Sequence, residues 1–332
     1  MTMLLSVCTQ NYVLSTTDLR ITQSTGSGPR VVDEKFNKHI LFVSESYVCD
    51  ITYTGVAQWQ SRGRMVCLYD TIADCASVCA RDNVQIAKLL VALCVCIRKT
   101  LSEVDPSGSN GLELQIVGFH KSFPHPFMAC ISSMTSKKPW VYSDDCEWQW
   151  TICGLCVSLA FREDADLMIG GIGSAITSTE RQRLLKAARD GADAFNISNM
   201  CRKYIAIASR RDSRIGERSA SLLIPIEGWI DTSLWDEKAS SVMGFMPTWI
   251  RVDGNIWAPS EVPIDLKTTT SGHFPKDSLF FKSVIYSNLK RSTRRRLFKR
   301  KKGKKIPGLF GVIGLALYGK TVEGYDSLGL DF

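Results

Sequence analysis

The order of strand-like and helix-like segments is the strongest constraint this sequence places on its fold. Met3 to Cys8 reads as a short strand, and Asn11 to Thr17 follows it after a tight turn as the second arm of a hairpin. Gln23 to Arg30 is rich in Gly, Ser and Pro and reads as a loop. His39 to Val43 and Tyr47 to Thr54 form a second hairpin, with Ser-Glu-Ser at its turn. From about Met65 to Thr100 the pattern becomes helical. Asn83 is placed to cap a second helix through Ile86, Leu89, Leu90, Leu93 and Ile97. After the breaker DPSGSNG (105–111), strands are predicted at Leu112 to Phe119, Pro126 to Met134, Trp148 to Phe161 and Leu167 to Gly170. Helices return at Ser178 to Arg189 and about Asn196 to Ser209, and strands at Ser219 to Ile224 and Val242 to Val252.

Strand hairpins, two helices, more strands, two helices and a strand are not the alternation of a doubly wound parallel sheet. The order suits an α+β chain with two antiparallel sheets face to face, each covered by a helix pair: a four-layer αββα sandwich with a C-terminal extension. The chain has 332 residues, of which 45% are apolar, with eight Trp and fourteen Phe. That suffices for one large core plus an appendage and argues against general disorder.

The net charge of +8 belongs to one segment. Eleven basic residues lie between Lys290 and Lys305 with no acid among them, and the remainder holds 30 basic against 33 acidic residues. Twelve cysteines without a secretory signal point to free thiols in a reducing cytoplasm. MTMLLSVCTQ lacks a basic n-region, and no uncharged apolar run reaches 18 residues, so no membrane span is expected. The longest candidate, Ile306 to Gly319, is too short and holds four glycines.

An amide hydrolase built on one residue needs a nucleophile, a base and an oxyanion donor. A threonine at a chain start supplies the first two, because its free α-amine can take the proton of its own hydroxyl. Thr2 becomes such a residue once Met1 is removed, and its small side chain permits that removal. Sixteen residues on stands Asp18, within Thr17-Asp18-Leu19-Arg20. Lys38 enters the next strand in Asn37-Lys38-His39-Ile40, and Gly55 closes the following hairpin in Tyr53-Thr54-Gly55-Val56-Ala57. Gly171-Ile172-Gly173-Ser174-Ala175 is a glycine-rich turn opening a helix, and Arg211-Asp212-Ser213-Arg214-Ile215-Gly216 precedes a strand.

In this order, over about residues 2–225, these stations resemble the N-terminal-nucleophile (Ntn) hydrolases of the proteasome β-subunit type. The resemblance implies roles. Thr2 Oγ1 attacks a carbonyl with its own amine as base, Lys38 supplies charge, Asp18 holds Lys38, the Gly55 N–H meets the oxyanion, and Asp212 steadies the free terminus. Arg20, Gly173 and Ser174 would lie along the substrate.

Taken singly, each residue has an ordinary role too: Asp18 and Arg20 as a strand-end ion pair, Lys38 as a solvated hairpin residue, Gly55 as a turn glycine. The interval from Asp18 to Lys38 is about four residues longer than in the family, which leaves Lys35 as a rival for the lysine role. Ile172 and Ile215 occupy two positions where the family has hydroxyls. Either Ser174 or Ser213 compensates, or the site is weakened.

Three weaker signals remain. Cys153-x-x-Cys156, with His120 and His125 nearby in sequence, lacks a second CxxC at zinc spacing and reads as buried thiols, so no metal and no cofactor are expected. Asp144, Asp145 and Glu147 read as a solvated acidic loop. The basic run carries Lys290, Arg291, Arg294, Arg295, Arg296, Lys299, Arg300, Lys301 and Lys302 as candidate contacts to nucleic acid or another polyanion. A solvated linker and a partner-docking arm are the other readings of it.

The expected organisation is a domain over 2–260, a connecting segment over 261–289, the basic arm over 290–305 and a Gly-rich apolar segment over 306–332. The leading expectation for function is a cytoplasmic threonine amidohydrolase or peptidase acting on a peptide or amide substrate, assembled as a homo-oligomer. The alternative is a catalytically inactive binding or assembly protein of the same fold whose basic arm contacts nucleic acid or another polyanion. A third places the working end in the basic arm and Ile306 to Gly319, docking a partner or membrane surface.

Overall fold

The computed structural model describes residues 2–25, 28–34, 36–55, 57–61, 64–104, 111–120, 123, 125–133, 148–226, 229–236, 241–243, 248–250, 256–257 and 272–275. The basic arm, the acidic loop, the apolar C-terminal segment and Lys35 lie outside the described residues.

The chain opens with β1 (Met3–Cys8), β2 (Tyr12–Asp18), β3 (Ile21–Thr25), β4 (Gly28–Asp33), β5 (His39–Val43) and β6 (Tyr47–Thr54). A short hairpin, β7 (Gln58–Ser61) and β8 (Arg64–Cys67), leads into α1 (Leu68–Arg81) and α2 (Ile86–Val104). β9 (Glu113–His120), β10 (Pro126–Ser132), β11 (Trp148–Ile152), β12 (Leu155–Phe161) and β13 (Asp166–Gly171) follow, then α3 (Ser178–Arg189) and α4 (Ala194–Arg211). β14 (Ser219–Pro225), β15 (Trp229–Asp236), β16 (Ser241–Met243), β17 (Thr248–Ile250), β18 (Ile256–Trp257) and β19 (Gly272–Pro275) complete the described chain.

These strands make an α+β fold. One sheet has the order β13-β1-β2-β14-β15-β16, with β19 also on β15. The other runs β11-β12-β10-β9-β6-β5-β17-β18. Their pairings are antiparallel except β17 on β5, which is parallel. Every residue of β1 and of β2 is buried, as expected for a strand covered on both faces. Met3, Leu5 and Val7 face a core shared with Leu184, Ile197, Cys201 and Ile205 of α3 and α4. From the opposite face of β1, the Ser6 hydroxyl donates to Gln115 Oε1 of β9 in the other sheet at 2.8 Å. Ile51 and Tyr53 of β6 pack with Ile72, Ala76, Leu89, Leu93 and Ile97 of α1 and α2. Each buried Leu or Ile contributes about 1.5–3 kcal/mol of transfer free energy.

Local chemistry sets the helix ends. Thr177 caps α3 in a capping box with Glu180, and the Asp193 carboxylate caps α4 by accepting from the Asn196 amide. Asn83 does not cap α2, as the sequence suggests. It ends α1 in a left-handed conformation (φ 44°), its amide donating to the Ala80 carbonyl while the Val84 amide reaches Cys79. Asparagine tolerates that conformation where most residues do not, so the same residue type served the preceding stop and not the following start.

Other expectations need correction. Within Gln23 to Arg30, residues 23–25 and 28–30 are not a free loop but paired in the β3–β4 hairpin. Trp148 to Phe161 is two paired strands joined at Cys153 and Gly154, both with positive φ, a two-residue hairpin turn. Cys153 is therefore exposed and Cys156 half-buried, not the buried pair expected. Within Val242 to Val252, the described residues 242–243 belong to β16 in one sheet and 248–250 to β17 in the other. Among the described residues, no helix is long and apolar enough to cross a membrane.

Candidate active site

Thr2 precedes β1, and four elements converge on it. β2 ends at Asp18, β5 begins just after Lys38, β6 ends at Thr54, and β13 ends at Gly171. Register puts them together: Leu4 pairs with Thr17, and Met3 with Gly171. Thr2 is 5% exposed, Lys38 1% and Asp18 0%.

Lys38 Nζ donates to Thr2 Oγ1 at 2.6 Å and to the carbonyls of Asp18 and Arg20 at 2.8 Å each. Those three acceptors use all three N–H groups of an ammonium. The Asp18 carboxylate stands 3.5 Å from Nζ. Burial pulls the Lys38 ammonium from its ordinary 10.5 down to about 8, partly countered by the charge of Asp18. The lysine is therefore close to its titration point at neutral pH, beside a hydroxyl oxygen.

Asp18 does more than balance that charge. Its carboxylate accepts from the amides of Met3 (2.8 Å), Arg20 (3.1 Å) and Gly216 (2.9 Å). It thereby fixes the residue after Thr2 and the loop after α4 in one frame. Gly216 fits because a Cβ there would lie 2.8 Å from the Arg20 Cβ.

Arg20 is committed to structure. Its guanidinium donates to the carbonyls of Ser213 and Ile215 and pairs with Glu34 at 2.7 Å. Gly55, directly after Thr54, has φ +106°, and a Cβ there would lie 2.1 Å from the Gly111 carbonyl oxygen. No other residue fits the position, which places its backbone beside the site.

Asp212 grips Arg214 through both carboxylate oxygens and also accepts from the Arg214 amide. The Arg214 guanidinium is the first reason its carboxyl sits below the ordinary range. The Gly173 carbonyl accepts from Arg181, and Ser174 is exposed on a single 3-10 turn. Lys290 to Lys302 lie outside the described residues.

Ile172 and Ile215 are buried with the α3/α4 core, so the two positions where hydroxyls are implied are apolar. Ser174 and Ser213 are both exposed. The hydroxyl that reaches Thr2 comes instead from Thr54, which accepts from the Thr2 nitrogen at 2.9 Å and donates to the Thr2 carbonyl at 3.2 Å. Strand periodicity alone could have found it, since Thr54 lies on the same face of β6 as Asp50 and Thr52, opposite the apolar Ile51 and Tyr53. His39 is a second unforeseen residue. Its Nδ1 faces Asp50 at 2.6 Å and its Nε2 faces the Ala220 carbonyl at 3.1 Å and Thr17 Oγ1 at 3.2 Å. With both nitrogens in hydrogen-bonding contact with protein groups, it ties the two sheets together behind the lysine.

Among the described residues, no group of three or more His, Cys, Asp or Glu is placed to hold a metal ion.

No family model matches this chain, and no curated protein matches it. Among solved structures it is similar to a Gly-1 mutant of Anbu from Hyphomicrobium sp. strain MC1, at 10% identity, covering 92% of this chain and 100% of that one, TM-score 0.44. Anbu, an ancestral beta-subunit, from Yersinia bercovieri gives 8% identity, 92% and 99% coverage and TM-score 0.45. The Anbu complex from Pseudomonas aeruginosa, described as a helical assembly, gives 7%, 91% and 98%, and 0.43. The identification as an Ntn hydrolase of the proteasome β-subunit-like family is therefore corrected. No family model supports it, and the neighbours are Anbu proteins at 7–10% identity that give no sign of that hydrolase activity for this chain. Any chemistry here rests on the geometry of the residues themselves.

Proposed function

We propose that the chain is a threonine amidohydrolase or peptidase whose nucleophile is Thr2, freed by cleavage of its bond to Met1. One observation carries the reading: a buried lysine ammonium 2.6 Å from the hydroxyl of the residue that would become the terminus. A positive charge there favours the alkoxide and keeps a neighbouring amine neutral. The hydroxyl proton of Thr2 passes to its α-amine as Oγ1 bonds to the substrate carbonyl carbon. The Gly55 N–H donates to the resulting oxyanion, a contact typically worth about 2.7–4 kcal/mol. The amine then returns the proton to the departing nitrogen, and water cleaves the ester to regenerate Thr2. Asp18 acts through Lys38 and the Met3 amide. Gly173 and Ser174 frame the path of the substrate, Arg20 braces the loop after α4 beside it, and Asp212 stands behind the terminus.

The same reading takes residues 2–260 as one domain in which the two sheets and their helix pairs stack as four layers. It takes copies of the chain to assemble with one another. Eleven free cysteines among the described residues favour a reducing cytoplasm as its compartment.

A second reading is favoured by Ile172, Ile215 and the commitment of Asp212 to Arg214. In it the site is catalytically quiet, and the chain binds or assembles, with Lys290 to Lys305 contacting nucleic acid or another polyanion. Intact mass of the protein before and after a threonine-directed β-lactone, beside Thr2→Ala, separates the two. Loss of Met1 plus one adduct absent from Thr2→Ala supports the enzyme. A free Thr2 that never reacts supports the quiet protein.

A further inference from the structure

A buried column of polar groups runs between the sheets behind Thr2. The Ser6 hydroxyl donates to Gln115 Oε1 at 2.8 Å, and Gln115 Nε2 donates to Glu113 Oε1 at 3.1 Å. Glu113 Oε2 in turn accepts from the Gly171 amide at 3.4 Å. Gly171 has a left-handed φ of +69°, and a Cβ on it would fall 1.8 Å from the Thr2 carbonyl oxygen and 2.9 Å from Thr54 Oγ1. Gly171, Thr2 and Thr54 are thus in mutual contact. Glu113 is also the direct cross-strand partner of Thr54 between β6 and β9.

The Thr54 hydroxyl is 3% exposed at the residue level and has one donor and two acceptor sites. It uses both functions on one residue, accepting from the Thr2 nitrogen and donating to the Thr2 carbonyl. That double grip fixes rotation on either side of the Thr2 Cα. The Thr2 carbonyl is held from a second direction by the Ile172 amide at 3.1 Å. Removing the bond to Met1 leaves a nitrogen that still carries N–H groups, so the acceptor retains its donor.

We infer that the Thr54 hydroxyl is the positioning group that holds the α-amine of Thr2, braced by the Glu113 carboxylate through the Gly171 amide. The inference rests on Thr2 being a free terminus and deepens the threonine-nucleophile reading. It assigns to β6 the task that Ile172 and Ile215 cannot perform. With one N–H held by Thr54, the nitrogen keeps its lone pair turned toward its own hydroxyl.

The test uses the full chain beginning at Thr2 and follows two quantities: titration of the α-amine by the 13Cα shift of Thr2, and the rate of β-lactone acylation against pH. An acceptor on an ammonium favours the charged form, so Thr54→Val lowers the amine midpoint by about one pH unit. The plateau acylation rate falls by about 10- to 100-fold, the usual consequence of a misplaced reacting group. Thr54→Ser restores both to within about threefold of the original. If the valine variant does not fold, Thr54→Ala is read in its place with the same expected shift. An amine midpoint unchanged in the valine variant overturns the inference, whether or not the lactone reacts. A shifted midpoint in a protein whose Thr2 never takes the lactone sustains the positioning role while sinking the hydrolase reading.

Discussion

Replacing Lys38 by methionine removes the charge beside Thr2 and keeps the stem that fills the site. At 2.6 Å and an effective dielectric of about 20, a unit charge attracts a full alkoxide by roughly 6 kcal/mol. An attacking hydroxyl develops part of that charge, so about half is available, or about 3 kcal/mol and a rate loss of about 10²-fold. Stability should move much less. Burial, partly offset by Asp18, brings the ammonium from 10.5 to about 8, so the folded protein carries a net cost of roughly 3 kcal/mol for the charge at neutral pH, and methionine relieves it. Against that stand three lost hydrogen bonds at about 1 kcal/mol each. Asp18 keeps its three backbone donors, so its carboxylate is not stranded. The assay pairs β-lactone acylation, followed by intact mass, with urea unfolding of the same samples. The expected result is acylation slowed about 100-fold or more with the unfolding midpoint nearly unchanged. A variant that acylates within threefold of the parent refutes the electrostatic argument. A loss of rate accompanied by a loss of more than about 3 kcal/mol of stability would make Lys38 a structural residue.

With the parent protein, the acylation rate should fall as pH rises through about 8, because Lys38 is charged below that point and neutral above it, and Lys38→Met should lack that limb. Gly171→Ala should destabilise the fold by about 2–4 kcal/mol and abolish acylation, because left-handed strain adds to the overlap with the Thr2 carbonyl; thermal melting and the same mass assay read both. Glu180, held at about 2 first by Arg211, has a folded value below its ordinary 4.5. Its contribution to stability is complete above 4.5 and is lost as pH falls toward 2, so Glu180→Gln should flatten acid unfolding in that window.

Much of the fold was legible because local signals and tertiary context agreed. His39–Val43, Tyr47–Thr54 and Ser178–Arg189 lie where the pattern places them. Misreadings came where one residue type serves two geometries. Asn83 suits a left-handed helix stop as well as a cap, and the Gly/Ser/Pro stretch after Ile21 suits a hairpin tip as well as a loop. Cys153-Gly154 hid a turn inside an apolar run, because two positive-φ residues leave no mark on hydrophobic periodicity.

The sequence by itself determined the α+β class, the helix pairs, and the presence of Thr2, Asp18, Lys38 and Gly55 at strand ends. Only the tertiary structure decided which groups touch Thr2. Lys38 reaches the hydroxyl because the end of β2 meets the start of β5, and the nitrogen is held by Thr54 because the end of β6 in the facing sheet meets the start of β1. Those contacts join residues 36 and 52 positions apart. Such separations are set by sheet register and by the packing of one sheet on the other, quantities that no local pattern encodes.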